Sequence, residues 1–187
     1  MPFIKAMPGF SILLTLIICG CALPPPVSNN HTGLWDLMLE FEQRGARSGT
    51  VEHKYSLGVN YDGKLAMSWP LKKNAVTSNF GKRGTDHHEG IDLRAELGTA
   101  VYSAHDGVVM YADDRIGGYG NMVVLRHKSG ISTIYAHNSK LFVHTGQKVE
   151  RGAKIALSGD SGRSMGPHLH FEVWRGEKPV NPVPYLP

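Results

Sequence analysis

The sequence predicts a mainly β protein, in which a short N-terminal helix precedes a compact antiparallel sheet domain. Its 187 residues include 22 glycines and 11 prolines, a composition that favours turns over long helices. Short runs of apolar and β-branched residues recur after residue 69, and turns that contain glycine separate them. Because no long helical pattern lies between these runs, neighbouring strands are expected to pair in antiparallel fashion.

Residues 1–20 are predicted to be a lipoprotein signal peptide. Lys5 precedes an apolar run at residues 10–18, which is too short to cross a bilayer comfortably. The following residues, 18–22 (ICGCA), resemble a bacterial lipobox. That resemblance implies cleavage before Cys21, lipid on its sulfur, and an outer-membrane location that faces the periplasm. A plain secretory signal or an uncleaved anchor is the alternative.

Three segments are predicted to follow the signal peptide. Residues 21–33 form a Pro-rich tether. Residues 34–68 contain an amphipathic helix at Leu34–Arg44, whose apolar positions are three and four residues apart, and a hairpin marked by Asp62-Gly63. Residues 69–187 form the β domain. Both cysteines of the chain precede it, so it has no disulfide and no cysteine metal ligand. The predicted strands are Ala100–Tyr102, Gly107–Ala112, Met122–His127, Ser132–His137, Lys148–Val149, Lys154–Ser158 and His168–Trp174.

Two histidine motifs in this domain indicate a metal centre. In the stretch GPHLHFEV, His168, His170 and Glu172 are expected on one face of a strand. His88 and Asp92 are four residues apart, which puts them on one face of either a helix or a strand, and Gly90 favours a strand or a loop leading into one. Catalytic zinc takes three protein ligands and keeps a fourth position for water. His88, Asp92 and one histidine of the HLH pair would complete such a set.

The motifs of the domain, taken in order, resemble those of the lysostaphin-type zinc metallopeptidases, family M23, also called LytM domains. The resemblance runs from about Trp69 to Leu186. The matching segments are Val76–Arg83 (VTSNFGKR), His88–Asp92 (HEGID), Gly98-Thr99, Gly107–Val109, Gly118–Asn121 (GYGN), Tyr135–His137 (YAH), Gly146–Val149 (GQKV) and Gly166–Glu172 (GPHLHFE). The fold that this resemblance implies is a compact antiparallel β-sheet domain with an open groove, of the LytM/lysostaphin-like, barrel-sandwich-hybrid type.

The resemblance also implies functional roles. His88, Asp92 and His170 would hold Zn²⁺, and His137 and His168 would be the catalytic pair, with the choice of general base left open. The implied activity is hydrolysis of peptidoglycan stem-peptide cross-links, either D-alanyl-diaminopimelate bonds or glycine bridges. The alternative is a non-catalytic LytM-type activator of cell-wall amidases. Such activators have usually lost ligands or catalytic histidines, which this sequence retains.

The charge of the chain and the residues outside these motifs lead to further predictions. A net charge of +4 without a long basic tract predicts no nucleic-acid partner, and the sequence does not indicate an oligomeric state. His127 and His144 are predicted at the surface, and Tyr135 is predicted to serve packing. For Glu172 two roles stay open: accepting a hydrogen bond from a ligand histidine, or forming a salt bridge on the strand face.

Overall fold

The computed structural model of the protein describes residues 65–187 and the single helical, exposed residue Asp36. The predicted signal peptide with Cys21, the tether, the Asp62-Gly63 hairpin and the rest of the Leu34–Arg44 helix lie outside the described residues. In the described part of the chain, no helix has the length and apolar character needed to cross a membrane. The strands are β1 (Val76–Ser78), β2 (Gly81–Arg83), β3 (Asp86–His88), β4 (Ile91–Arg94), β5 (Ala100–Tyr102), β6 (Gly107–Asp113), β7 (Asn121–Arg126), β8 (Ile131–Leu141), β9 (Lys148–Val149), β10 (Lys154–Ser158), β11 (His168–Arg175) and β12 (Lys178–Val180).

Most of these strands belong to one antiparallel sheet. Its order is β1-β4-β11-β8-β7-β6-β9, and β10 joins it by pairing with β8 and with β5. Strand β12 pairs with β11, while β2 and β3 form a separate two-stranded hairpin. The two longest strands, β8 with 11 residues and β11 with 8, are paired at the centre. The predicted antiparallel β class is therefore confirmed.

The alternation of side chains along β11 explains how the sheet holds both a core and a polar groove. Leu169, Phe171 and Val173 point into the main hydrophobic cluster and have no exposed surface. His168 and His170 occupy the other face of the strand, because successive side chains of a strand point to opposite faces. Trp174, further along that second face, packs into a second cluster with Ile134. The groove thus lies on the face of β11 that does not cover the main core.

The sequence pattern located strands that contain buried apolar residues better than short strands with mostly exposed residues. Predicted β5, β9 and β10 match the structure residue for residue, and the predicted β6, β7 and β11 differ from the observed strands by one residue at one or both ends. Strand β8 was predicted to end at His137 but continues to Leu141. Strand β4 was not among the predicted strands, although the His88–Asp92 motif favoured a strand or a loop leading into one there. Strands β1, β2, β3 and β12 were not predicted. Each of these four has three residues, most of them exposed or half-buried, so no apolar run marks them.

The prediction that His127 lies at the surface is wrong. Its side chain is completely buried, at the turn between β7 and β8. His127 Nδ1 donates to the Asp106 carbonyl at 2.9 Å, and its Nε2 lies 2.7 Å from Thr133 Oγ1. These two partners let a polar ring enter the core, which the sequence motif did not reveal. His144 is exposed as predicted.

Candidate metal centre

Strand pairing brings the predicted ligands together from distant parts of the chain. His170 in β11 is the direct cross-strand partner of Asp92 in β4. His88 ends β3, and Glu89 and Gly90 turn the chain into β4. The loop-to-strand interpretation of the His88–Asp92 spacing is therefore the one that the structure adopts. Glycine is needed in this turn, since a β-carbon at Gly90 would lie 2.4 Å from the carbonyl oxygen of Phe171 in β11.

Three donor atoms form a tight triangle at this point. His88 Nε2 lies 3.2 Å from Asp92 Oδ1 and 3.1 Å from His170 Nδ1, and those two atoms are 2.9 Å apart. Tetrahedral zinc with bonds of about 2.0–2.1 Å separates its donors by roughly 3.4 Å. A small outward shift of the three side chains would therefore accommodate the ion. Two imidazoles and one carboxylate are also a donor set that catalytic zinc uses.

The second nitrogen of each imidazole is held by the protein. His88 Nδ1 donates to the Asn79 carbonyl at 2.8 Å, and His170 Nε2 donates to Glu172 Oε1 at 2.7 Å. These bonds fix the ring orientations and leave His88 Nε2 and His170 Nδ1 facing the centre. Such outer partners are typical of metal-binding histidines.

Glu172 is the most constrained of these outer partners. Only 1% of its surface is exposed, and it accepts hydrogen bonds from His170, from the Tyr119 hydroxyl at 3.0 Å and from the Trp174 indole. Burial opposes ionisation of this carboxyl, but the hydrogen bonds from His170, Trp174 and Tyr119 and the charge of His170 together outweigh it and lower the pKa of Glu172. Of the two roles left open by the sequence, the structure has Glu172 accept a hydrogen bond from a candidate ligand histidine.

The charges of the centre are strongly coupled. Burial alone would raise the pKa of Asp92, but hydrogen bonds from His170, His88 and Arg83 hold it well below its usual range. Burial alone would lower the pKa of His170, yet its bonds to Asp92 and Glu172 raise it to about 9. In the metal-free protein, a proton on His170 therefore lies between two carboxylates. A divalent cation has to displace that proton to bind.

Arg83 is a member of this site that the sequence motifs did not single out. Its guanidinium donates to Asp92 Oδ2 at 2.7 Å and also bonds to Ser78 Oγ. It lies 2.7 and 3.1 Å from the two ring nitrogens of His88. Arg83 thereby engages one oxygen of Asp92 and leaves the other, Oδ1, to face the two histidines. Its position in the matched segment VTSNFGKR was the available signal.

The two other predicted histidines lie beside the triangle. The ring centroids of His137 and His168 are 4.8 Å apart, and the His137 ring is 5.8 Å from that of His170. His168 Nε2 lies 3.7 Å from Asp92 Oδ1. All five predicted side chains therefore line one open groove of about 580 Å³. Burial lowers the pKa of His137 to about 4, so the ring is neutral at neutral pH.

One loop, residues 159–167, orients this pair. His137 Nδ1 donates to the Ser161 carbonyl, and His168 Nδ1 donates to the Gly166 carbonyl, both at 2.8 Å. These bonds leave the Nε2 atoms without a proton in the neutral rings. Ser161 is held in turn by its hydroxyl, which donates to the Asn138 carbonyl at 2.7 Å. The backbone acceptors were missed by sequence reasoning, because a carbonyl group carries no sequence signature.

His137 also has an unusual backbone. Its φ of 61° lies in the left-handed region, which is rare for residues other than glycine. The pairing of β7 with β8 shifts register at this point: Asn121 faces Asn138, but Val123 faces Tyr135. A bulge of this kind re-aims a side chain, here into the groove.

Other residues considered from the sequence lie elsewhere. Tyr135 is buried, and its hydroxyl accepts from the Ala104 amide and contacts Thr133, which agrees with a packing role. His87 is exposed, with its ring edge against Phe80. Asn121 exchanges hydrogen bonds with Asn138.

Comparison with known proteins by sequence and by structure identifies similarity to peptidases. The model of peptidase family M23 matches residues 86–182. A solved zinc-containing peptidase from Vibrio cholerae has 38% sequence identity and a TM-score of 0.57, over 63% of this chain and 39% of the other.

Two curated relatives differ in their described activities. Peptidoglycan DD-endopeptidase ShyA of Vibrio cholerae is 37% identical over 139 residues, which cover 74% of this chain and 29% of ShyA. Murein hydrolase activator NlpD of Salmonella typhimurium is 38% identical over 122 residues, which cover 65% of this chain and 32% of NlpD. The chain thus spans about a third of the length of these relatives.

Proposed function

We propose a function that follows from the family of this chain, because the chain belongs to peptidase family M23. The protein is a zinc-dependent endopeptidase, and it hydrolyses the peptide cross-links of peptidoglycan. One observation carries the proposal. Three donor atoms within 3.2 Å of one another and a neighbouring pair of oriented histidines share one open groove. The similarity to a DD-endopeptidase supports the choice of substrate.

His88, Asp92 and His170 would hold the metal. Zinc in such a site acts as a Lewis acid that polarises a carbonyl and lowers the pKa of a water molecule. The chain itself contributes orientation and charge. Asp92 and the buried Glu172 place negative charge beside a cation, and Arg83 fixes the second Asp92 oxygen.

His137 and His168 would carry the proton transfers. Each presents a ring nitrogen that lacks a proton in the neutral form, because the other nitrogen donates to the loop backbone. One imidazole can take a proton from the attacking water, and the protonated ring can then donate to the leaving amine or to the developing oxyanion. The low pKa of His137 keeps it available as an acceptor near pH 7.

The cellular setting is part of the proposal. An extended peptide fits an open groove better than a folded protein does. Lipid on Cys21, followed by the Pro-rich tether, would hold the domain in the cell envelope at the outer membrane, within reach of the cell wall.

The test is digestion of purified cross-linked muropeptides by the protein with zinc, followed by mass spectrometry. We expect dimers to become monomers, and we expect a chelator to stop the reaction. His137→Ala should lower kcat by about 10²–10⁴-fold while its zinc content stays the same. His144→Ala, at an exposed position outside the groove, is the matched control. Release of terminal D-alanine alone would indicate a carboxypeptidase instead.

A second candidate function is activation of a cell-wall amidase, which the similarity to NlpD favours. The same purified proteins distinguish the endopeptidase from the amidase activator. An activator would leave cross-links intact, with or without zinc, and would accelerate a partner amidase to the same extent when His137 is replaced by alanine. The five retained side chains favour the endopeptidase.

A further inference from the structure

The charged side chains of the groove are almost all neutralised by neighbours. Arg83 is paired with Asp92 at 2.7 Å, and Glu172 is buried with three donors. Glu89 also has a partner. Arg163 differs from them. Its side chain is exposed and lines the groove, and among residues 65–187 its guanidinium has no carboxylate partner and no hydrogen bond.

Arg163 borders two adjoining parts of the groove. It lines the part of the groove that contains His137 and His168, and also the adjoining hollow beside Tyr119 and Glu172. The Arg163 cation therefore lines the same groove as the proposed catalytic pair.

The backbone of Arg163 is held firmly. Its amide donates to the Gly118 carbonyl at 2.8 Å. The preceding residue, Gly162, packs so closely on Gly120 that a β-carbon would lie 2.4 Å from the Gly120 nitrogen. Ser161 and Gly166, in the same loop, accept the hydrogen bonds of the catalytic pair. The position of the Arg163 backbone is therefore fixed relative to the two histidines, while its side chain is free to reach a ligand.

We propose that Arg163 binds a free carboxylate of the substrate, next to the scissile bond, and that it makes the enzyme select anionic cross-links over amidated or glycine cross-links. This inference rests on the proposed endopeptidase function. A guanidinium recognises a carboxylate through two parallel hydrogen bonds, and a carboxamide cannot replace both acceptor oxygens. Recognition of a charged group at a fixed distance from the catalytic pair also sets the register of the peptide in the groove.

The kinetic test uses two cross-linked peptides that differ only in the carboxylate beside the scissile bond, which is an acid in one and a carboxamide in the other. For the wild type with zinc, we expect kcat/KM to be about tenfold higher for the acid. Arg163→Gln should bring that ratio close to one, and Arg163→Lys should restore part of it. Lys178→Gln, which removes an exposed positive charge in β12 outside the groove, should keep the ratio of the wild type.

A binding measurement tests the role of Arg163 independently of the proposed endopeptidase activity. The affinity of both peptides for His137→Ala, and for His137→Ala combined with Arg163→Gln, is measured by calorimetry. We expect a preference for the acid that disappears when Arg163 is replaced. If the wild type cuts neither peptide, the endopeptidase proposal fails, yet this measurement still decides whether Arg163 binds carboxylates.

Two results would overturn the inference. One is a wild-type protein that treats the acid and the carboxamide alike in both measurements. The other is an Arg163→Gln variant that binds both peptides equally less tightly than the protein with Arg163, since that result would mean that Arg163 only maintains the structure of the loop.

Discussion

Each of the four histidines around the centre gives one ring nitrogen to a protein oxygen and keeps the other for the groove. Three of the accepting oxygens are backbone carbonyls, which fix the ring without adding a charge. Glu172 is the exception, because it places a buried negative charge behind His170. At the residue scale, Glu172 is therefore expected to strengthen His170 as a donor to a cation, in addition to orienting it.

Replacing Glu172 by glutamine tests this role. The amide keeps the size of the side chain but removes its charge, so we expect zinc affinity to fall by about 10–100-fold. Competition with a chromophoric chelator measures the affinity, and a thermal melt of the metal-free variant shows whether the fold is kept. Glu177→Gln, at an exposed site after β11, is the control. Unchanged affinity in a folded variant would show that Glu172 only fills the core.

At the scale of elements, the site is divided between the sheet and one loop. Strands β4 and β11 bring Asp92 and His170 into register, whereas the 159–167 loop orients His137 and His168 through its backbone. The loop is anchored by close packing of Gly162 on Gly120. The three candidate ligands and the His137–His168 pair therefore depend on different elements, and a change in the loop should alter the orientation of that pair without altering metal affinity.

Gly162→Ala is expected to separate the two functions. A β-carbon would lie 2.4 Å from the Gly120 nitrogen and 2.6 Å from the Gly118 carbonyl oxygen, so the loop has to move. A shift of about 1 Å can cost on the order of 10²-fold in rate, and we expect such a loss in kcat with zinc affinity unchanged.

Gly152→Ala provides the matched control, because Gly152 has a φ of 80° with open space around its missing β-carbon. Both variants carry the cost of a left-handed alanine, but only Gly162→Ala displaces the loop. Similar activity in the two variants would argue against the loop as the element that orients the pair.

At the scale of the whole molecule, one buried histidine serves stability and not the site. His127 is joined to Thr133 and, through it, to Tyr135. Thr133 and His137 are four residues apart in β8, which corresponds to about 13 Å along a strand. Burial lowers the pKa of His127 from 6.5 to about 4. Protonation of His127 therefore favours the unfolded chain, in which the imidazole is solvated.

The free energy of unfolding should accordingly depend on pH. The contribution of His127 is complete above pH 6.5, the unfolded value, and is lost as the pH falls towards 4, with a total on the order of 3 kcal/mol. Urea unfolding of the metal-free protein from pH 4 to pH 8 measures it. In that window His127→Gln should remove the contribution of His127 and leave that of His137, whose pKa is also lowered to about 4, whereas exposed His144→Gln should not change the pH dependence. His170, with its raised pKa, acts in the opposite window, because its stabilisation is lost as the pH rises through 9.

The pattern of short apolar runs and glycine turns predicted the fold class, whereas the five candidate site residues came from the resemblance of the ordered motifs to family M23. Alternation of side chains is local, so residue spacing alone was enough to put His168, His170 and Glu172 on one face of a strand. The spacing of His88 and Asp92, by contrast, left the choice of helix or strand to Gly90. Strands with buried apolar residues were visible in the sequence, including three-residue β5, while short strands with exposed or half-buried residues, such as β1 and β12, carry no such pattern.

The tertiary structure decided what depends on contacts between distant residues. The pairing of His170 with Asp92, the bulge that turns His137 into the groove and the Ser161 carbonyl that holds it all join segments far apart in the chain. Arg83 acquires its role only when the β2–β3 hairpin meets β4, and His127 is buried only because Asp106 and Thr133 satisfy its ring. The sequence by itself therefore determined which chemical groups are present and which strand faces they occupy. Their convergence was decided by long-range backbone pairing, which residue identity and local spacing do not encode.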